Sequence, residues 1–216
     1  MNDIEFASFL VSRMCHDLVG PMGAVVNGLE VLEDERDPAL RADALKIVTQ
    51  SADQALARLQ FLRIAFGAAG SAGAELDLGE VGRLVSGLLA ATRVKLDWQA
   101  ARTNWPKDWA KLLMNASMLA ADCLPRGGSV LVTTAPPGAA PWFRIQASGT
   151  HLKVFEEVER ALRGTSSPDD VDARGIQPVL TARLARSLQT ALSLTVKDGG
   201  IELNAVAPAS WASHAA

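Results

Sequence analysis

The sequence predicts an α+β protein: an N-terminal antiparallel helical hairpin followed by a C-terminal α/β sandwich. Three observations predict it. Two stretches of about thirty residues each carry apolar side chains at steps of three and four. A Gly/Ala/Ser-rich segment, GAAGSAGA at residues 67–74, then interrupts the pattern and reads as a linker. Beyond it, short alternating runs and helical runs follow one another in mixed order. A chain of 216 residues has room for two small domains, and the break places them at residues 1–67 and 75–208.

The first helical pattern spans residues 2–35, with Ile4, Ala7, Val11, Met14, Leu18, Met22, Val25, Leu29 and Leu32 in its stripe. Their mean spacing is that of a coiled-coil-like seam. Such a rod is roughly 45 Å long at about 1.5 Å per residue and needs neighbours of similar length. Asp37-Pro38 starts the second pattern, residues 38–66, whose stripe is Leu40, Ala44, Ile47, Ser51, Ala55, Leu59, Leu62 and Phe66. Because the chain holds one such hairpin, a homodimer closing a four-helix bundle is expected.

Past the linker, residues 78–91 read as helix and 94–99 as strand. Residues 107–123 form a helix opened by Trp105-Pro106 and closed by Pro125 and Gly127-Gly128. Strands at 129–134 and 142–147 surround a Pro/Gly turn, and helices at 154–163 and 178–188 follow. A closing hairpin, 192–197 and 201–207, turns through Asp198-Gly199-Gly200. Helices should cover one face of this sheet, and the tail from Pro208 should fray.

Composition excludes several function classes. The formal net charge is -3, with basic residues scattered singly, so neither nucleic acid nor an anionic membrane has an electrostatic footprint to bind. The first residues, MNDIEFASFL, lack the basic-then-apolar order of a secretory signal, and no stretch is long and apolar enough to span a bilayer. A cytoplasmic protein is the expectation. Cys15 and Cys123 lack metal-ligand spacing and read as small buried hydrophobes.

His16 carries the chemistry. It is rotated by about 200° from Met14 at 100° per residue, so it points away from the seam toward solvent. Ser12 and Gly20 lie one turn away and Gly23 two, which leaves room for a partner protein to approach the ring. A neutral imidazole is a good nucleophile toward phosphorus, and Asp17 beside it could fix the tautomer. Pro21 removes a backbone hydrogen bond one turn on.

HDLVGP, residues 16–21, resembles the H-box of histidine kinases, in which His-Asp/Glu and a proline sit on the first dimerisation helix. The wider string CHDLVGPMGAVVNGLEVLEDE, residues 15–35, is similar to the ChpT family of bacterial histidine phosphotransferases, and the similarity continues more loosely along the chain. That resemblance implies homodimeric hairpins flanked by domains shaped like a histidine-kinase ATPase domain. It implies His16 as the phosphorylated residue, with Asp17 in support. It further implies phosphoryl flow from the receiver domain of a hybrid kinase of CckA type to response regulators of CtrA and CpdR type. By analogy, Val19, Gly20 and Met22 would meet the regulator's first helix and Arg13 its acidic pocket or the phosphoryl group. Magnesium would belong to the partner's receiver domain, and this chain would bind no cofactor and no metal.

Whether the sandwich binds ATP decides between carrier and kinase. KLLMNASMLAADCLPRGG, residues 111–128, resembles the kinase helix whose asparagine helps hold magnesium, with Asn115 in the matching place. A helix-surface or capping asparagine explains that residue equally well. From residue 147 the chain reads ASGTHLKVF, with Gly149 but no aspartate in the adenine-contacting position. RGIQPVLTARLARSL, residues 174–188, lacks the GxGLGL glycines that let backbone approach polyphosphate. A degenerate ATPase fold is therefore expected. Two rivals stand beside the carrier: an active kinase with divergent nucleotide loops, and a dimeric scaffold that binds regulators without carrying phosphate. His151 and His214 have no matching partners for a metal site or triad, and Glu156, Glu157 and Glu159 read as a solvated helix face. The five tryptophans, Trp98, Trp105, Trp109, Trp142 and Trp211, read as filling of the α/β core.

Overall fold

A computed structural model of the chain describes residues 1–67, 74–166, 171–172 and 175–213. Most of the linker segment, Arg174 and His214 lie outside the described residues. Helix α1 (Asp3–Asp34) begins in a capping box: Glu5 N–H donates to Asn2 Oδ1 at 2.9 Å and Asn2 N–H to Glu5 Oε2 at 2.8 Å. It runs unbroken through Pro21. Helix α2 (Pro38–Ala65) is capped by the Asp37 carboxylate, which accepts from Ala39 N–H at 2.7 Å, and carries proline at its first position. Between the helices, Arg41 donates to the carbonyls of Leu32 and Glu35 and ties the turn.

The two helices approach closely where Gly28 faces Val48; a Cβ on Gly28 would lie 2.6 Å from Val48 Cγ2. Gly28→Val is therefore expected to push the helices apart and destabilise the chain by about 1–3 kcal/mol, read as a lower urea midpoint. An unchanged midpoint would mean that the hairpin tolerates wider spacing there.

The expected single seam divides into two stripes. Within the chain, Gly28 on α1 and Ala44, Ser51, Ala55, Phe61 and Leu62 on α2 are buried. Ile4, Val11, Met22 and Leu29, placed in the same stripe by their spacing, remain exposed, as do Leu40, Ile47 and Leu59. One helix has one facing neighbour here, so only one of its apolar flanks is covered.

The sandwich opens with β1 (Glu75–Asp77), α3 (Leu78–Leu89), β2 (Val94–Gln99) and β3 (Asn104–Pro106). It continues through α4 (Lys107–Asp122), β4 (Gly128–Thr134), β5 (Trp142–Ser148), α5 (Glu156–Arg163), α6 (Ile176–Ser187), β6 (Ser193–Lys197) and β7 (Gly200–Val206). Five strands form one sheet in the order β2-β4-β5-β7-β6, with only the β2–β4 pair parallel. Strands β1 and β3 form a separate antiparallel ribbon. Alternation sets the layers: Val130, Val132, Phe143, Ile145, Ala147, Leu203 and Ala205 are buried under the helices. On the opposite face, Lys197, Asn204 and Gln146 donate hydrogen bonds to Glu202, and with Lys197 foremost they hold its carboxyl down at about 2. Stability from this group is present above its unfolded value near 4.5 and is lost as pH falls toward 2.

Helix α4 is the central element, buried at every position from Trp109 to Ala121. Over residues 209–213 the expected fraying gives way to a 3-10 turn, which sets Trp211 edge-on against Trp109, ring centroids 6.1 Å apart. Trp105 and Phe143 meet the same indole edge-on, so an aromatic cluster far apart in sequence holds the turn at residues 209–213 in place.

The hairpin is gripped by the sandwich at two places. Phe61, Leu62 and Ala65 of α2 are buried in the same core as α3 and α4, each large side chain contributing roughly 1.5–3 kcal/mol. At the other end, Phe6, Phe9 and Leu10 of α1 pack on Ala161, Val171, Ile176 and Val179. There Arg183 stacks over the Phe6 ring at 4.2 Å from its centroid. Between the two contacts a cleft opens beneath the middle of α1.

Candidate functional site

His16 sits at the rim of that cleft, its side chain 62% exposed. Gly20 and Gly23, one and two turns on, have open space where a Cβ would be. Asp17 does two things at once. Its Oδ1 lies 3.5 Å from His16 Nδ1, and its Oδ2 accepts from Arg13 Nε at 2.9 Å. Helical spacing brings Arg13 and Asp17, four apart, onto one flank. Their side chains are 15% and 13% exposed, so this pair faces the sandwich rather than open water. Arg13 is turned onto Asp17. Val19, Gly20 and Met22 are exposed, and Cys15, expected to be buried, is exposed with them because it shares the outward flank of His16. Cys123 is buried, and burial pushes its thiol up to about 12.

The cleft has a volume of about 530 Å³ and is walled by α1, α4 and the starts of α5 and α6, with Asp122, Lys153, Phe155 and Gln177 across from His16. A second cleft of about 370 Å³ shares Arg13, Asp17 and Asp122 and adds Arg58 and Arg93. Asp122, the last residue of α4, stands where the two meet. It reaches solvent, yet protein crowds it on most sides, and that crowding raises its carboxyl to about 6. Arg13 and Arg58 pull the value down, and Asp17 pushes it up. Sequence reading gave no reason to single out Asp122.

Asn115 is neither a surface side chain nor a cap. It is fully buried. Its Nδ2 donates to Ala65 O at 3.1 Å and Lys111 O at 2.9 Å, while Gln177 Nε2 donates to Asn115 O at 3.0 Å and to its Oδ1 at 3.4 Å. Lys111 Nζ donates to Gly67 O. Asn115 and Lys111 thus anchor the end of α2, and Asn115 also receives the start of α6. Gly149 likewise serves packing: a Cβ there would lie 2.7 Å from Gly127 O. His151 contacts Arg126, and Glu156 and Glu159 pair with Arg160 and Arg163 one turn on. Among the described residues no His/Cys/Asp/Glu group could hold a metal ion, and no helix is long and apolar enough to cross a membrane.

A histidine on the first helix of a hairpin, beside an ATPase-like sandwich, is the layout of a histidine kinase core. The solved histidine kinase domain of a blue-light-activated kinase from Erythrobacter litoralis shares the fold at TM-score 0.51 and 15% identity, over 90% of this chain and 100% of that one. A solved structure of a bacterial phosphotransferase matches at TM-score 0.86 and 33% identity, over 95% of this chain and 97% of that one. Protein phosphotransferase ChpT from Brucella abortus is 35% identical over 194 residues, 90% of this chain and 91% of its own. Residues 78–200 match the histidine phosphotransferase C-terminal domain. The chain belongs to the histidine phosphotransferase family.

Proposed function

We propose that this chain is a phosphohistidine carrier, taking a phosphoryl group from the receiver-domain aspartate of one signalling protein and passing it through His16 to that of another. The observation that carries the reading is the asymmetry of the His16 ring: Nδ1 faces the Asp17 carboxylate, and the opposite edge faces the open rim. The carboxylate favours the tautomer with its proton on Nδ1, which leaves a lone pair on Nε2.

Nε2 attacks the phosphorus of the donor's aspartyl phosphate. The N–P bond forms as the acyl O–P bond breaks, and the donor carboxylate leaves with the electron pair. The ring keeps its Nδ1 proton and becomes an imidazolium, whose charge Asp17 offsets. In the second transfer the acceptor's carboxylate attacks the same phosphorus, the N–P bond breaks, and its electrons return to Nε2. No proton changes hands. Both displacements need a rigid, exposed ring approached in line, which the middle of a long helix supplies.

Magnesium would sit in the partner's receiver domain, and this chain would bring no cofactor. What argues against a kinase is the engagement of Asn115 and Lys111 with the end of α2. The proposal extends to the partners: a hybrid kinase's receiver domain of CckA type as donor and regulators of CtrA and CpdR type as acceptors. Val19, Gly20 and Met22 would form the docking surface. The exposed Val11, Val26 and Leu29 of α1 and Ile47, Leu56 and Leu59 of α2 favour a homodimer closing a four-helix bundle. Residues 1–67 would then serve dimerisation and transfer, and 75–208 would serve as a platform beside the docked receiver.

The test mixes the chain with a phosphorylated receiver domain, then with a second receiver, and separately with ATP alone. The carrier predicts acid-labile label from the receiver only, moving onward to the second. Label from ATP alone would make it a kinase, and no label in either arm would leave a scaffold.

A further inference from the structure

We propose that Arg13 is a positioning residue for phosphoryl transfer: it holds one oxygen of the Asp17 carboxylate and so keeps the other turned toward His16 Nδ1. The inference rests on the reading of His16 as the carrier. Both links are direct contacts. Arg13 Nε donates to Asp17 Oδ2 at 2.9 Å, and Asp17 Oδ1 lies 3.5 Å from His16 Nδ1. The χ2 torsion of an aspartate is broad, so the side chain alone leaves the plane of its carboxylate loose. Pinning Oδ2 removes that freedom and fixes where Oδ1 points.

The pair is unlike the ion pairs that line an ordinary helix surface. Glu80 with Arg83, Glu156 with Arg160 and Glu159 with Arg163 all put the acid first, and their carboxylates are exposed. That order suits the helix dipole. Arg13 and Asp17 stand in the reverse order, which stabilises a helix less. They are nearly buried as well, at 15% and 13% exposure, beside an imidazole that is 62% exposed. Helix stability is therefore a poor account of the pair, and its contact with the ring is a better one. Arg58 of α2 and Arg93 ahead of β2 line the cleft that Arg13 and Asp17 share, and either would draw a loosened carboxylate away from His16. Arg13 also makes an interaction beyond this one. A guanidinium has five donors in one plane, and the bond to Asp17 uses only one of them.

The experiment is a double-substitution cycle in the full chain, with Arg13→Met, Asp17→Ala and the two together. Methionine keeps an apolar stem and removes every donor. Arg13→Met alone should lower the single-turnover rate of label uptake from a saturating phosphorylated receiver domain by about 3–10-fold, the worth of one charge-assisted hydrogen bond at a partly buried site. In the Asp17→Ala background the same change should cost no more than about twofold, because the contact it removes no longer exists. The receiver concentration that gives half the maximal rate should not move. Arg13→Lys should recover part of the rate, since its ammonium still reaches Asp17. A direct contact of Arg13 with the phosphoryl group or the receiver predicts otherwise: the two losses multiply, or the half-saturating concentration rises. Either result overturns the proposal, as does a full rate for Arg13→Met. A purely structural role would lower the rate in both backgrounds alike, so the cycle decides even if Arg13→Met weakens the fold.

The ¹⁵N shifts of the His16 ring supply an arm that needs no phosphate. Arg13→Met should lower the fraction of ring carrying its proton on Nδ1, Arg13→Lys should lower it less, and an unchanged fraction counts against the proposal. Label uptake by His16→Ala would overturn the carrier reading instead, and the ring shifts would still show whether Arg13 acts on His16.

Discussion

Asp17→Asn is expected to slow phosphoryl uptake by about 10²-fold, within the range for a group that sets a catalytic imidazole's protonation. Asparagine keeps the shape but reverses the message to the ring. Its amide can donate to Nδ1, which moves the ring proton to Nε2 and blocks the lone pair that must attack phosphorus. It also withdraws the negative charge that offsets the imidazolium. Single-turnover transfer from a phosphorylated receiver measures the rate, and ¹⁵N shifts of the His16 ring measure the tautomer. Asp17→Glu should recover part of both, because a longer carboxylate still reaches Nδ1. A full rate with asparagine would mean that the 3.5 Å approach of Asp17 to the ring has no part in the chemistry.

Asn115→Leu is expected to lower unfolding free energy by about 3–5 kcal/mol, because it removes buried hydrogen bonds and puts a bulkier side chain in the same space. The substitution strands the Ala65 carbonyl inside the joint between hairpin and sandwich, while Gln177 keeps the backbone carbonyl of residue 115 as its acceptor. Each buried polar group left unpaired costs about 1–3 kcal/mol, and leucine cannot adopt the same packing without displacing α2. Urea unfolding followed by tryptophan fluorescence reads the change, since Trp105 and Trp109 lie in the same core. If Asn115 were instead idle, as an asparagine inherited from a metal site would be, leucine would leave stability nearly unchanged or raise it.

What could be read from the chain, and what could not, follows from the range of the interactions. The long helices, the strands over β2, β4, β5, β6 and β7 and the short helices α5 and α6 declare themselves by local periodicity, and their observed ends fall within a few residues of the expected ones. Strands β1 and β3 do not. Three residues each, ELD and NWP, carry no alternation, and they exist because Leu76 pairs with Trp105 across the intervening α3 and β2. The turn at residues 209–213 was hidden in the same way, since its anchor, Trp109, lies far upstream of Trp211.

The candidate site divides along the same line. His16 and Asp17 stand in a local motif, and the spacing of Arg13 and Asp17 was itself a legible i,i+4 pairing signal. Asn115 could be placed on its helix by motif, but its partners are the Ala65 carbonyl from the end of the hairpin and Gln177 from α6. Its conversion from ligand to anchor is thus a tertiary fact. Asp122 belongs to the same class. Nothing in LAADCLP marks it, and only the closing of α1 over the end of α4 puts it beside Arg13 and Asp17. The exposed flank of the hairpin was legible as apolar, whereas which of its residues face the other helix depends on where Gly28 lets the two cross.

The central claim is that His16 carries the phosphoryl group, and the most direct measurement is transfer from one phosphorylated receiver domain to wild type and to His16→Ala side by side. The account predicts acid-labile label on wild type, none on the variant, an unchanged melting temperature for the variant to confirm its fold, and label recovered on a second receiver only through wild type. Label on the folded His16→Ala chain, or onward transfer through it, would contradict the account.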